Sequence, residues 1–165
     1  MKQRPARPSL HVLVRREDLD PARLAGRVVV VVDLLFATST IVHALEAGAA
    51  WVYPARDGDD ARAAVARAPE AVVAGEYRAR TLPGHAPATP LALAARMRAG
   101  AELVYLTTNG TSAIAACAGA AAVYAGALAN AGALARDVAA AHPGLPVVLL
   151  CAGSLGRFSL EDFVG

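Results

Sequence analysis

The chain is short of lysine, cysteine and aromatic residues: Lys2 is the only lysine among 165 residues, two residues are cysteine, and Phe, Trp and Tyr together make up 5%. Charged residues reach only 18% and balance to a net charge of +2, with the sole basic concentration in the first sixteen positions. No cationic stripe is available for a phosphate backbone, which excludes nucleic acid as a partner. Cys117 and Cys151 sit in apolar helix and strand patterns without CxxC spacing. That usage fits a reduced, cytoplasmic location. His11, His43, His85 and His142 share no ligand spacing, so no zinc set is present. GxGxxG, Walker A, GxSxG and HExxH are all missing, which removes dinucleotide, P-loop, hydrolase-elbow and zincin chemistry. No long apolar run follows Met1-Lys2-Gln3-Arg4-Pro5, so a signal peptide is not expected. The uncharged stretch 110–135 is rich in Ala and Gly and interrupted by Asn130. It predicts two packed helices around a short strand, not a membrane span.

What the chain does have is 56% hydrophobic residues, enough for one full core. Short β-rich runs alternate with alanine-rich stretches. The pattern predicts strands over 10–14, 27–33, 50–53, 71–74, 102–107, 122–124 and 147–151, and helices over 38–46, 59–67, 90–99, 112–118 and 130–141. Valine occupies all of 28–32, without alternation, as in a central strand buried on both faces. Gly48, Gly100 and Gly119 fall where helix C-caps belong. The expected architecture is an α/β three-layer sandwich, a largely parallel or mixed central sheet with helices on both faces. One domain over 1–165 is expected, lacking a C-terminal portion, because the chain stops where another helix begins. Residues 77–89, rich in Pro, Gly and Arg, are expected to form a long functional loop.

Two strand-to-helix junctions carry the chemistry. At the first, Asp33 ends the valine strand and Thr38, Ser39 and Thr40 follow it. Ligands of open α/β sheets gather outside the carboxyl ends of strands, although Asp33 could equally cap the next helix. At the second, Thr107, Thr108, Asn109, Gly110 and Thr111 open an alanine-rich helix. Free N–H groups at such a start, with threonine hydroxyls, make a seat for a phosphate or sulfonate. Glu76 ends another expected strand, and Glu161 and Asp162 form a third acidic site near the chain end, where Ser159 and Asp162 also fit a capping box. Asp33, Glu76, Glu161 and Asp162 together are expected to hold Mg²⁺, which takes a few carboxylates and several waters. His43 is expected to pack mid-helix, and His85 is a candidate proton donor in the long loop.

These segments resemble the 2-phosphosulfolactate phosphatase family, Mg²⁺-dependent acid phosphatases. The resemblance rests on Asp33-Leu34-Leu35-Phe36-Ala37-Thr38-Ser39-Thr40, on Ala74-Gly75-Glu76-Tyr77, and on the intact Thr107-Thr108-Asn109-Gly110-Thr111. Asn130-Ala131 and the block from Cys151 to Asp162 complete it. It implies a phosphomonoesterase acting on a small phosphorylated or sulfonated substrate, with Asp33 and Glu76 catalytic. The expected substrate contacts are Thr38, Thr107, Thr108, Asn109, Gly110, Thr111, Asn130 and Arg157. Phe36 stands where the family has arginine, and a phenyl ring cannot replace a guanidinium on an anion. A family member that has lost catalysis and binds a small anionic metabolite is therefore the rival reading. Homo-oligomerisation stays open.

Overall fold

The computed structural model describes residues 9–165. Eight strands form two sheets. The first has the order β1 (Leu10–Leu13), β8 (Val147–Cys151), β2 (Val28–Val32), β7 (Ala122–Gly126), all parallel. The second has the order β3 (Trp51–Ala55), β6 (Glu102–Leu106), β4 (Val72–Tyr77), β5 (Arg80–Thr81), parallel except for the β4–β5 hairpin. Six helices surround them: α1 (Ala37–Glu46), α2 (Gly58–Arg67), α3 (Pro90–Ala94), α4 (Gly110–Ala116), α5 (Ala131–Ala141) and α6 (Leu160–Val164). The α/β class with mostly parallel strands holds, although the strands divide between two sheets.

The valine strand β2 lies between β8 and β7, and Val28 to Val31 are buried. Burial of each such side chain contributes about 1.5–3 kcal/mol. Alternation along the strands sorts the core. Val29, Val31, Val148 and Leu150 meet Ala113 and Cys117 of α4, whereas Leu103 and Tyr105 of β6 meet Ala37, Ile41 and Ala44 of α1. On the other face of the second sheet, Val104 packs with Ala55 and with Ala61 and Ala64 of α2. The first sheet is less completely covered. Val30, Val32 and Leu149 face α5 across an apolar groove of about 870 Å³, and α5 buries none of its own residues.

Several expectations are corrected. The segment expected as irregular loop over 77–89 begins with a hairpin, because Arg78 and Ala79 adopt left-handed φ of 51° and 62°. Neither residue carries the Asn-Gly signal of such a turn. Helix α3 stops at Ala94, not at residue 99. Gly48 and Gly100 do take positive φ, but Gly119 does not. His43 lies half exposed beside Glu46 at 3.7 Å instead of packing in the core. The stretch 110–135 divides into α4, β7 and α5. Among the described residues no helix is long and apolar enough to cross a membrane.

Candidate functional site

The carboxyl ends of β2, β4, β6 and β8 deliver the candidate residues. Asp33 follows β2 directly and is 6% exposed. Its backbone is clamped by one side chain: the Thr38 hydroxyl accepts from Asp33 N–H and donates to Asp33 C=O, both at 2.9 Å. Its Oδ1 accepts from Ala37 N–H at 3.3 Å, so Asp33 also caps α1. The Ser39 hydroxyl donates to Leu34 C=O, and Leu35–Phe36 is a cis peptide.

The second junction is clamped the same way. The Thr111 hydroxyl accepts from Thr107 N–H at 3.0 Å and donates to Thr107 C=O at 3.2 Å, while Thr107 Oγ1 accepts from Thr111 N–H at 3.1 Å. Gly110 brings the two junctions together. A Cβ there would overlap the Asp33 carboxylate and the Ala37 methyl, so glycine is what allows α4 to start against Asp33.

Glu76 reaches across from β4. Its Oε1 accepts from Thr108 N–H at 2.6 Å, and its Oε2 from Ala79 N–H at 2.6 Å and Thr108 Oγ1 at 3.1 Å. Arg78 N–H donates to Thr108 Oγ1 at 2.7 Å. Asp162 arrives from α6: Oδ1 accepts from Leu34 N–H at 3.0 Å and Oδ2 from Gly153 N–H at 3.1 Å. It is the junction's own latch, and Ser159 forms no side-chain cap, so the expected capping box does not occur.

Electrostatics follow from this crowding. Burial, then the charges of Asp162 and Glu76, push Asp33 up to about 7, against the steadying N–H groups of Ala37 and Gly110. Burial also raises Asp162 above the usual carboxylate range. No Lys, Arg or His forms an ion pair with Asp33, Glu76 or Asp162 among the described residues. Nor does any group of three His, Cys, Asp or Glu side chains there stand ready as a metal cage. The expected four-carboxylate cluster of Asp33, Glu76, Glu161 and Asp162 therefore does not form, although the charges of Asp162 and Glu76 do act on the buried Asp33.

Of the expected site residues, the structure brings together Asp33, Glu76, Asp162, Thr38 and the stretch 107–111. Glu161 and Arg157 are exposed. Thr38, Thr107 and Thr111 turn their hydroxyls onto backbone, and Asn130 likewise bonds Ala127 N–H and Ala125 C=O at 2.9 and 3.0 Å. Two N–H groups of the expected anion seat already have partners: Thr108 on Glu76 and Thr111 on Thr107. Asn109 Oδ1 accepts from Leu155 N–H at 3.1 Å, and its Nδ2 has no protein partner among the described residues. His85 is occupied locally, with Nδ1 at 2.9 Å from Pro83 C=O. Sequence reading missed the Glu76–Thr108 and Asn109–Leu155 bonds, which join residues 32 and 46 positions apart. No local signal announces such pairs.

Comparison with known proteins gives a consistent result. The family model described as 2-phosphosulpholactate phosphatase matches residues 14–165. A protein of Symbiobacterium thermophilum named probable 2-phosphosulfolactate phosphatase is 40% identical over 151 residues, covering 89% of this chain and 64% of that protein. One of the same name from Deinococcus radiodurans is 38% identical over 149 residues, covering 89% and 62%. A third, from Clostridium tetani, is 30% identical over 158 residues, covering 94% and 67%. The chain thus spans somewhat under two thirds of the length of the first two relatives.

Proposed function

The chain belongs to the 2-phosphosulfolactate phosphatase family, and on that premise we propose that it hydrolyses a small acidic phosphomonoester of the 2-phosphosulfolactate type to the alcohol and phosphate. The observation that carries this reading is the contact between the Asp33 carboxylate and the glycine start of α4, with Glu76 bound to the adjoining Thr108. Acid groups and anion donors thereby share one rim. Asp33 and Glu76 would hold Mg²⁺, with Asp162 close behind and Glu161 outside. Bound there, the ion would supply Lewis-acid polarisation of the phosphoryl oxygens.

The chain's own residues supply the rest. Thr38 and Thr111 hold both junctions rigid, so that the reacting groups keep one geometry. With the Thr108 hydroxyl donating to Glu76, Asn109 Nδ2 is left as a neutral donor at the start of α4, suited to charge developing on equatorial oxygens. Without the ion, burial and the neighbouring carboxylates push Asp33 up to about 7; a bound cation would hold it ionised. Phosphate release from 2-phosphosulfolactate and from p-nitrophenyl phosphate, with and without Mg²⁺, tests the reading. Mg²⁺-stimulated release that Asp33→Asn abolishes is expected; equal turnover in that variant removes Asp33 from the reaction.

A second reading is favoured by two observations: the N–H groups of Thr108 and Thr111 are already engaged, and Phe36 replaces the family's arginine. On it the chain binds a small anion without turning it over. Phosphate binding by calorimetry without any release at any pH selects that reading.

A further inference from the structure

Tyr105 is fully buried in the core between β6 and α1, yet its hydroxyl points at a single loop carbonyl, donating to Ala88 C=O at 2.6 Å. The Thr40 hydroxyl of α1, also fully buried, donates to the same oxygen at 2.8 Å. Both lone pairs of Ala88 C=O are thereby filled by side chains from two different elements. The loop they hold, 82–89, makes three hydrogen bonds to β4 among the described residues, and its last residue, Thr89, accepts from Leu93 N–H of α3. Leu82 N–H donates to Gly75 C=O at 3.1 Å, Gly75 N–H to Ala86 C=O at 3.2 Å, and Ala86 N–H to Val73 C=O at 2.8 Å. Those bonds fix the loop beside β4 as far as Ala86. Beyond it, Ala88 packs in the core beside Ala86 and Leu93, and among the described residues its carbonyl takes hydrogen bonds from the two hydroxyls alone before α3 begins at Pro90.

We propose that Tyr105 is a positioning residue of the phosphoester site: through Ala88 it sets the distance of the 82–89 loop from Asp33 and Glu76. The inference rests on the phosphatase reading for its consequence, but the anchor itself does not. Proximity supports it. The charges of Asp33 and Glu76 both act on the Tyr105 hydroxyl, and the loop runs against Gly75, the residue before Glu76. A buried hydroxyl on a satisfied carbonyl is costly to lose, because the carbonyl is left short of a partner in a dry environment. Phenylalanine keeps the ring and its packing. Tyr105→Phe therefore removes one of the two hydrogen bonds to Ala88 and little else.

The test measures p-nitrophenyl phosphate turnover, inorganic phosphate binding by calorimetry and amide exchange across the chain in the wild type, Tyr105→Phe and Thr40→Val. In both variants KM and the phosphate Kd rise about tenfold, kcat stays within about twofold, and exchange accelerates in 82–89 but not in α1 or β6. Unchanged exchange in that loop overturns the proposal. So does acceleration spread evenly over the fold, since Tyr105 would then matter for packing alone. Should Tyr105→Phe fail to fold, Thr40→Val carries the same readouts through the other hydroxyl. A wild type that binds phosphate but releases none defeats the phosphatase reading, and the exchange and phosphate-binding arms still decide the role of Tyr105.

Discussion

The junctions β2–α1 and β6–α4 are built on one plan and filled differently. In each, the threonine at the second position of the helix folds its hydroxyl back onto the N–H and C=O of the residue leaving the strand: Thr38 onto Asp33, Thr111 onto Thr107. The first junction carries a carboxylate with no basic partner among the described residues; the second carries small neutral residues and a glycine that lets the carboxylate come close. Rigidity comes from what the junctions share. Reactivity comes from where they differ.

Breaking the difference has the largest effect. Asp33→Asn lowers the rate of phosphate release by roughly 10³–10⁴-fold, as for other groups central to a reaction, measured in single-turnover assays with enzyme in saturating excess over substrate. The same carboxyl governs stability. Its native pKa of about 7 lies above the 3.8 of an unperturbed aspartate, so the native state holds the proton more tightly. The stabilisation is complete below pH 4, falls as pH rises through 7 and is flat above, by on the order of 4 kcal/mol in all. Urea unfolding from pH 4 to pH 8 reads that decline in the wild type, and Asp33→Asn removes it. Mg²⁺ at pH 8 raises the wild-type Tm and leaves that of the variant unchanged.

Gly110→Ala attacks the closeness of the two junctions. The added methyl must push Asp33 or Ala37 aside, which costs about 1–3 kcal/mol of stability and lowers turnover further than that loss explains. Thermal unfolding and kcat at the same temperature separate the two effects. The smallest changes sharpen what is shared. Thr38→Val and Thr111→Val each remove a hydroxyl bonded to a buried backbone pair and are expected to lose a similar 1–3 kcal/mol by urea unfolding. A large difference between them would show that the two clamps are not equivalent.

Much of this plan was legible in the residues. Five consecutive valines can only be a buried strand, and a carboxylate set immediately after them has to sit at a strand end, because the apolar run tolerates no charge within it. The bend at 107–111 was legible as a helix start for a similar reason: small hydroxyl residues and glycine before an alanine-rich run. Their orientation was not legible. Thr38, Thr107 and Thr111 read equally well as ligand donors or as backbone clamps, and only the paths of the strands into the helices turned them inward. Glu76 read as a strand-end acid, but its partner Thr108 sits in the bend after β6, whose pairing with β4 is set by the sheet.

By itself, then, the sequence determined the alternation of strands and helices, the burial of β2 and the acidic and small polar residues at the strand ends, since periodicity and side-chain chemistry are local properties. The tertiary structure alone decided that Asp33 meets Gly110, that Asp162 latches Leu34 to Gly153, and that Tyr105 reaches Ala88. Those contacts join residues distant along the chain. They exist because two sheets and the helices packed on them bring separate strand ends to one place.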